Sequence, residues 1–125
     1  MAEPEELTAL LVDDELPIMG FLQRMLDRNS IKNVDAVSTT KEGLGLLERK
    51  DYDLVFTDLN QNPSGLVVYR TAVKKGSKAY IMSGYAPDIH EAQDVARDHF
   101  LQKPFNIPEI DKIIKDSIAQ KRSQS

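Results

Sequence analysis

Short apolar runs recur along the chain, and each ends at polar or turn-forming residues. The first extends from Leu7 to Val12 and stops at Asp13. Continuous apolar runs of this length are typical of strands covered on both faces, as in a parallel sheet. The pattern predicts five strands, at residues 7–12, 34–38, 54–56, 79–82 and 100–102.

Segments with helical spacing follow the apolar runs. Pro17, a residue favoured in the first turn of a helix, precedes Ile18 and Phe21 at that spacing. Thr39 and Glu42 form a capping-box pattern, which marks the start of a second helix. The predicted helices cover residues 17–28, a second stretch through Leu44 and Leu47, residues 66–75, residues 87–97, and a last stretch with the stripe Ile110, Ile113, Ile114 and Ile118.

Strands that alternate with helices predict a parallel sheet with helices on both faces, joined by right-handed crossovers. The predicted fold class is therefore α/β, a doubly wound domain of five βα units. A chain of 125 residues holds one such domain, because two cores would each be too small to bury enough surface. We expect the domain at residues 7–120, with flexible ends at residues 1–6 and 121–125.

Composition narrows the class of protein. A hydrophobic fraction of 41% argues against an intrinsically disordered chain. No apolar run approaches the roughly 18–20 residues of a membrane-spanning helix, and the acidic start is unlike a signal peptide. We therefore expect a cytoplasmic protein that does not bind membranes. The net charge of −4 argues against direct nucleic-acid binding, which relies on clustered basic residues.

Polar residues stand at the ends of four of the five predicted strands. Asp13 and Asp14 follow the first strand, Asp58 the third, Ser83 the fourth and Lys103 the fifth. The carboxyl ends of parallel strands share one edge of the sheet, which is where ligands bind in this kind of fold. We expect these five side chains to meet there.

A cluster of three carboxylates needs positive charge. Two carboxylates about 4 Å apart repel by roughly 1 to 4 kcal/mol, depending on the effective dielectric. The chain has no cysteine, so a metal would be held by oxygen or imidazole ligands, and carboxylate oxygens suit Mg²⁺. With Mg²⁺ and Lys103 in place, one carboxylate can attack a phosphoryl group and form an aspartyl phosphate.

The ordered set of strand-end motifs strongly resembles the response-regulator receiver (CheY-like) family over about residues 7–119. The motifs are Leu11-Val12-Asp13-Asp14-Glu15, Thr57-Asp58, Met82-Ser83-Gly84-Tyr85-Ala86 and Lys103-Pro104-Phe105. The resemblance implies a flavodoxin-like sandwich with strand order 2-1-3-4-5. It also implies that a histidine kinase or histidine phosphotransfer protein donates a phosphoryl group to this chain.

The resemblance assigns a role to each strand-end residue. It implies that Asp58 is the phosphoacceptor and that Asp14, Asp58 and the backbone carbonyl of Asn60 bind Mg²⁺, with Asp13 acting through water. Lys103 and Ser83 take the places of the family's lysine and switch hydroxyl, and Phe100 takes that of its switch aromatic. A cis bond before Pro104 is implied too. We expect phosphorylation to move Ser83 and Phe100 and to signal to a downstream protein through predicted helix four, strand five and helix five.

Two departures from the family pattern affect the expected local structure. Pro63 comes one place late and Gly65 one place early, which predicts a shorter, differently shaped loop after Asp58. The segment Arg97-Asp98-His99-Phe100 lacks the family's small Gly-Ala pair, which predicts a shortened or mobile helix four. With one domain filling the chain, we expect output through a partner protein, either from a stand-alone regulator or from part of a longer protein.

Three other functions remain open from the sequence. A receiver-like module that is never phosphorylated is compatible with the altered loop. A Mg²⁺-dependent phosphatase with an aspartate nucleophile uses similar groups, but its usual D-x-D-x-T loop is replaced here by Asp13-Asp14-Glu15. A flavin-binding protein of the same fold would need a Ser/Thr/Gly-rich phosphate loop after strand one, and none follows it.

Overall fold

The computed structural model describes residues 7–84 and 92–123. Within them, one sheet contains five parallel strands in the order β2-β1-β3-β4-β5, as predicted. The strands are β1 (Thr8–Val12), β2 (Asn33–Val37), β3 (Leu54–Asp58), β4 (Lys78–Ser83) and β5 (Phe100–Gln102). The doubly wound α/β fold class is confirmed, and each strand lies close to its predicted position.

Four α-helices lie within the described residues. They are α1 (Leu16–Arg28), α2 (Thr40–Arg49), α3 (Gly65–Lys74) and α4 (Ile107–Ser123). They correspond to the first, second, third and last predicted helices. The last of them continues beyond residue 120, into the stretch predicted to be a flexible tail, and the side chain of Lys121 contacts Asp53 there at 2.9 Å.

The predicted fourth helix is wrong over its described part. Residues 92–96 form a turn and Arg97–His99 a short 3₁₀ helix, while residues 87–91 lie outside the described residues. Side chains tie this segment to α3: Arg70 and Asp94 pair through two hydrogen bonds of 2.8 Å, and the Tyr69 hydroxyl lies 2.8 Å from Nδ1 of His99. Of residues 92–97, only Ala92 and Val95 are buried, which is a narrow apolar face for a helix.

The strands bury alternate residues on the two faces of the sheet, since side chains alternate along a strand. Leu11 and Phe56 lie in a cluster with α1 and α4, whereas Leu10 and Val55 lie in a cluster with α2 and α3. All four side chains are fully buried. Burial of a leucine-sized side chain contributes roughly 1.5–3 kcal/mol, so the central strands hold their polar ends on a rigid support.

The loop after Asp58 folds against the start of α2. Oε1 of Gln61 accepts a hydrogen bond from the backbone N–H of Thr40 at 2.8 Å, and Nε2 of Gln61 donates to the carbonyl of Ser38 at 2.9 Å. The Thr40 hydroxyl donates to the carbonyl of Pro63. These hydrogen bonds hold the loop after Asp58 against the segment that leads from β2 into α2.

Gly65 ends this loop where two backbone segments nearly touch. A Cβ atom at this position would lie 1.9 Å from the carbonyl oxygen of Asp58 and 2.8 Å from Cα of Leu59. Both obstacles are backbone atoms that cannot rotate away. The close approach lets α3 begin directly beside Asp58, and only glycine leaves room for it.

We predict that Gly65→Ala destabilises the protein by about 1–3 kcal/mol or more, because the added methyl overpacks against backbone. Gly45→Ala is the matched control, since Gly45 lies inside α2 and a Cβ there meets nothing within 4 Å. That control should gain about 1 kcal/mol from helix propensity. Urea unfolding followed by circular dichroism measures both, and wild-type stability for Gly65→Ala would contradict the close approach.

Candidate functional site

Three carboxylates meet at the carboxyl ends of β1 and β3. Each of Asp13, Asp14 and Asp58 offers an oxygen that lies within 4.8 Å of the other two. Asp13 and Asp14 directly follow β1, and Asp58 is the last residue of β3, the strand paired beside it. Asp13 and Asp58 are buried, and Asp14 is exposed. The structure thus brings together the carboxylates that the strand ends predicted.

The ammonium group of Lys103 faces this cluster from the end of β5. Its Nζ lies 2.8 Å from Oδ2 of Asp13, 2.6 Å from Oε1 of Glu15 and 3.4 Å from Oδ1 of Asp58. The Lys103 side chain is only 11% exposed. Its backbone N–H donates to the Ser83 carbonyl at 2.8 Å, and the following bond to Pro104 is cis, as predicted.

Burial and charge act against each other in this pocket. Burial raises the pKa of Asp13 above its usual value of 3.8, and nearby Lys103 offsets only part of the effect. Burial also lowers the pKa of Lys103, but contacts with Asp13 and Glu15 outweigh it, so this pKa lies above its usual value. Lys103 is therefore positively charged at neutral pH, and ionised Asp13 carries a desolvation cost.

One oxygen of the cluster lacks a directed hydrogen bond. Oδ1 of Asp13 accepts from the backbone N–H of Glu15 at 2.8 Å. Oδ2 of Asp13 is buried and accepts no hydrogen bond from any described residue, so its contact with Lys103 is an ion pair only. An all-oxygen donor set with such an oxygen fits a small hard cation.

The other predicted site residues lie on β4, on β5 and in the loop after Asp58. Ser83 is buried at the end of β4, and Nδ2 of Asn60 donates a long 3.5 Å hydrogen bond to its hydroxyl. Phe100 begins β5 opposite Ile81 and is half-buried against the α2 and α3 side of the sheet. Ser83 and Asn60 therefore lie near Asp58 at the carboxyl ends of the strands, whereas Phe100 lies two residues before the carboxyl end of β5.

Sequence reasoning missed two residues of this region. Glu15 contacts Lys103, and Gln61 fixes the loop that follows Asp58. The position of Glu15 directly after Asp13 and Asp14 was a usable signal, because a residue in the same turn can reach the same lysine. No local pattern marks Gln61, whose partners lie 21 and 23 residues away.

The fold and the pocket define a doubly wound α/β domain with an acidic cluster and a lysine at the carboxyl ends of its strands. Residues 9–115 match the response regulator receiver domain family, and the chain belongs to this family. The resemblance drawn from the strand-end motifs is thereby confirmed.

Individual relatives agree with this assignment. The chain is 32% identical over 121 residues to the sensory transduction protein LytR of Staphylococcus saprophyticus, covering 95% of this chain but 44% of that relative. A response regulator receiver protein from Sinorhizobium medicae is 26% identical, with a TM-score of 0.76 over 90% of this chain and 94% of that one. The chemotaxis response regulator CheY4 of Vibrio cholerae shares the fold at 18% identity, with a TM-score of 0.71 over 89% of this chain and 98% of that one.

Within residues 7–84 and 92–123, no helix combines the length and the hydrophobicity that crossing a membrane demands.

We predict that Asp13→Asn stabilises the protein at pH 7 without divalent ions. Because burial raises the pKa of Asp13 in the folded state, its ionised form costs stability once the pH rises above the unfolded value of 3.8. Asparagine removes this charge and keeps an oxygen for the N–H of Glu15. The gain should shrink as the pH falls toward 4.

Urea midpoints at pH 7 and pH 4 test this prediction. Asp14→Asn is the control, because Asp14 is exposed and should change stability little. A lower midpoint for Asp13→Asn than for wild type at pH 7 would show that the ion pair with Lys103 outweighs the cost of burial.

Proposed function

We propose that the chain accepts a phosphoryl group on Asp58, in a Mg²⁺-dependent reaction, from a histidine kinase or a histidine phosphotransfer protein. One observation carries the proposal: Asp58 stands within 4.8 Å of two other carboxylates and 3.4 Å from the ammonium of Lys103. A carboxylate in such surroundings can act as a nucleophile toward phosphorus.

The transfer exchanges one bond for another. A carboxylate oxygen of Asp58 attacks the phosphorus of a phosphohistidine, an O–P bond forms, and the P–N bond breaks. The electron pair leaves with the donor's imidazole, which is protonated on the departing nitrogen or its partner. Lys103 and the hydroxyl of Ser83 would contact the phosphoryl oxygens and stabilise their charge.

The proposed Mg²⁺ ligands are the side chains of Asp13, Asp14 and Asp58 and the backbone carbonyl of Asn60, with Asp13 acting through water. The three carboxylates that lie within 4.8 Å of one another and the all-oxygen character of the cluster support this assignment. When bound, Mg²⁺ supplies charge neutralisation for the carboxylates and for an incoming phosphoryl group.

The proposed output begins at Ser83 and Phe100. A phosphoryl group adds about −1.5 to −2 charges and three acceptor oxygens beside Ser83. Ser83 would move toward them and Phe100 would fill the released space, which changes the surface of β5 and α4. A downstream protein would bind the face formed by β5, α4 and the preceding segment, without direct contact between this chain and nucleic acid.

We predict that acetyl phosphate with Mg²⁺ adds the mass of one phosphoryl group to the wild type and none to Asp58→Ala. Asp27→Asn, a surface control on α1 whose side chain is 71% exposed, should gain the group as wild type does. Intact-mass spectrometry, with and without a chelator, measures the outcome.

Other outcomes of this experiment favour the other functions. A wild type without a mass gain would favour a receiver-like module that binds partners without phosphorylation. Steady release of phosphate from a small phosphoester would favour the aspartate-nucleophile phosphatase.

We predict that Phe100→Ala still takes up beryllofluoride but no longer transmits the change to α4. Phe100 has no hydroxyl, so it can signal only through packing. Amide NMR should show the wild-type response at Asp58 and a smaller response over residues 107–123. Phe21→Ala removes a half-buried ring that packs on the other side of the sheet and controls for general loosening. An unchanged response at α4 would contradict the role of Phe100.

A further inference from the structure

Glu15 occupies a helix-capping position without capping the helix. It is the N-cap residue of α1, with extended backbone angles (φ −87°, ψ 109°), and its side chain makes no capping hydrogen bond. Serine, threonine, aspartate and asparagine stabilise this position because their short side chains reach the first N–H groups. The Glu15 side chain instead extends to Lys103, 2.6 Å away.

The backbone of Glu15 is fixed on both sides. Its N–H donates to Oδ1 of Asp13 at 2.8 Å, and its carbonyl accepts from the N–H of Met19 at 3.1 Å. Lys103 is anchored as well, through its N–H to the carbonyl of Ser83. Because these hydrogen bonds hold both backbones, the length of the side chain at position 15 decides whether its carboxylate lies close to the ammonium.

Lys103 lies unevenly among its three carboxylates. Its Nζ is 2.6 Å from Glu15 and 2.8 Å from Asp13, but 3.4 Å from Asp58. Of the three contacts, the one with the proposed phosphoacceptor is the longest. The two residues at the end of β1 therefore hold the ammonium on their own side of the pocket.

We propose that Glu15 is a positioning residue, which holds Lys103 toward β1 until a phosphoryl group on Asp58 draws the ammonium across. The inference rests on the proposed phosphorylation of Asp58. The Glu15 side chain is 55% exposed, so its pairing is partly screened and weak enough to be exchanged for a phosphoryl contact. Glu15 thus favours the unphosphorylated arrangement of the pocket.

Two substitutions separate positioning from simple charge. Glu15→Asp keeps the charge but shortens the side chain by one methylene, so its carboxylate no longer reaches Lys103 and can cap α1 instead. Glu15→Gln keeps the length but loses the charge. If Glu15 acts by holding Lys103, both variants release the lysine; if it acts only as a distant negative charge, Glu15→Asp behaves as wild type. Glu48→Asp, an exposed position on α2, is the matched control.

The first measurement needs no phosphorylation. The ¹⁵N-labelled ammonium resonance of Lys103, assigned by its loss in Lys103→Gln, should move in Glu15→Asp and Glu15→Gln and stay in Glu48→Asp. A higher melting temperature of Glu15→Asp would show that the variant is folded and that its shorter side chain caps the helix. A wild-type lysine resonance in Glu15→Asp would overturn the proposal.

The second measurement links the contact to phosphoryl binding. With Mg²⁺ at saturation, ¹⁹F NMR titration of beryllofluoride should give an affinity about two- to five-fold higher for Glu15→Asp and Glu15→Gln than for wild type, the range expected for loss of an exposed ion pair. Equal affinity of Glu15→Asp and wild type would overturn the positioning role. If the wild type binds no beryllofluoride, the proposed phosphorylation of Asp58 is wrong, and the positioning role of Glu15 is wrong with it. The lysine resonance would still show separately whether Glu15 contacts Lys103.

Discussion

The structure of the pocket depends on one ammonium group placed among carboxylates. Lys103 is nearly buried and lies within 3.4 Å of oxygens from Asp13, Glu15 and Asp58. Without it, the burial of two ionised aspartates at adjacent strand ends would cost several kcal/mol, because repulsion adds to desolvation. Its single charge does not neutralise the cluster. The remaining negative charge favours the binding of a divalent cation, and in the proposed function Lys103 would then contact the phosphoryl group on Asp58.

Backbone hydrogen bonds and close backbone packing hold the segments that carry the charged side chains of the pocket. Parallel pairing of β1, β3 and β4 sets the aspartates and Ser83 along one edge, and the N–H of Lys103 is tied to the end of β4. The close approach at Gly65 and the hydrogen bonds of Gln61 then hold the loop after Asp58 against α2. The charged groups are thereby held close together by a rigid support. This limits how far the carboxylates can move apart to reduce their repulsion.

The parts of the structure that follow from local pattern were predictable. The central strands contain short apolar runs, so their polar ends were visible, and parallel pairing of the strands brings Asp13, Asp58 and Lys103 to one edge of the sheet. The contacts of Gln61 and the close approach at Gly65 depend on how near the loop after Asp58 lies to other backbone segments. No local sequence pattern encodes that distance. Residues 92–99 did not form the predicted helix, and Asp94 and His99 contact Arg70 and Tyr69 of α3 instead. Glu15 was read as the end of a motif, and its contact with Lys103 became apparent only from their distance.

The central claim is that this pocket combines excess negative charge with a lysine so that a divalent ion and then a phosphoryl group can bind. A magnesium titration followed by amide NMR tests it most directly. Saturable shifts are expected at residues 13–15, 58–60 and 103, and Asp13→Asn should weaken them. Spectra that do not change at those residues, even with magnesium in large excess, would contradict it.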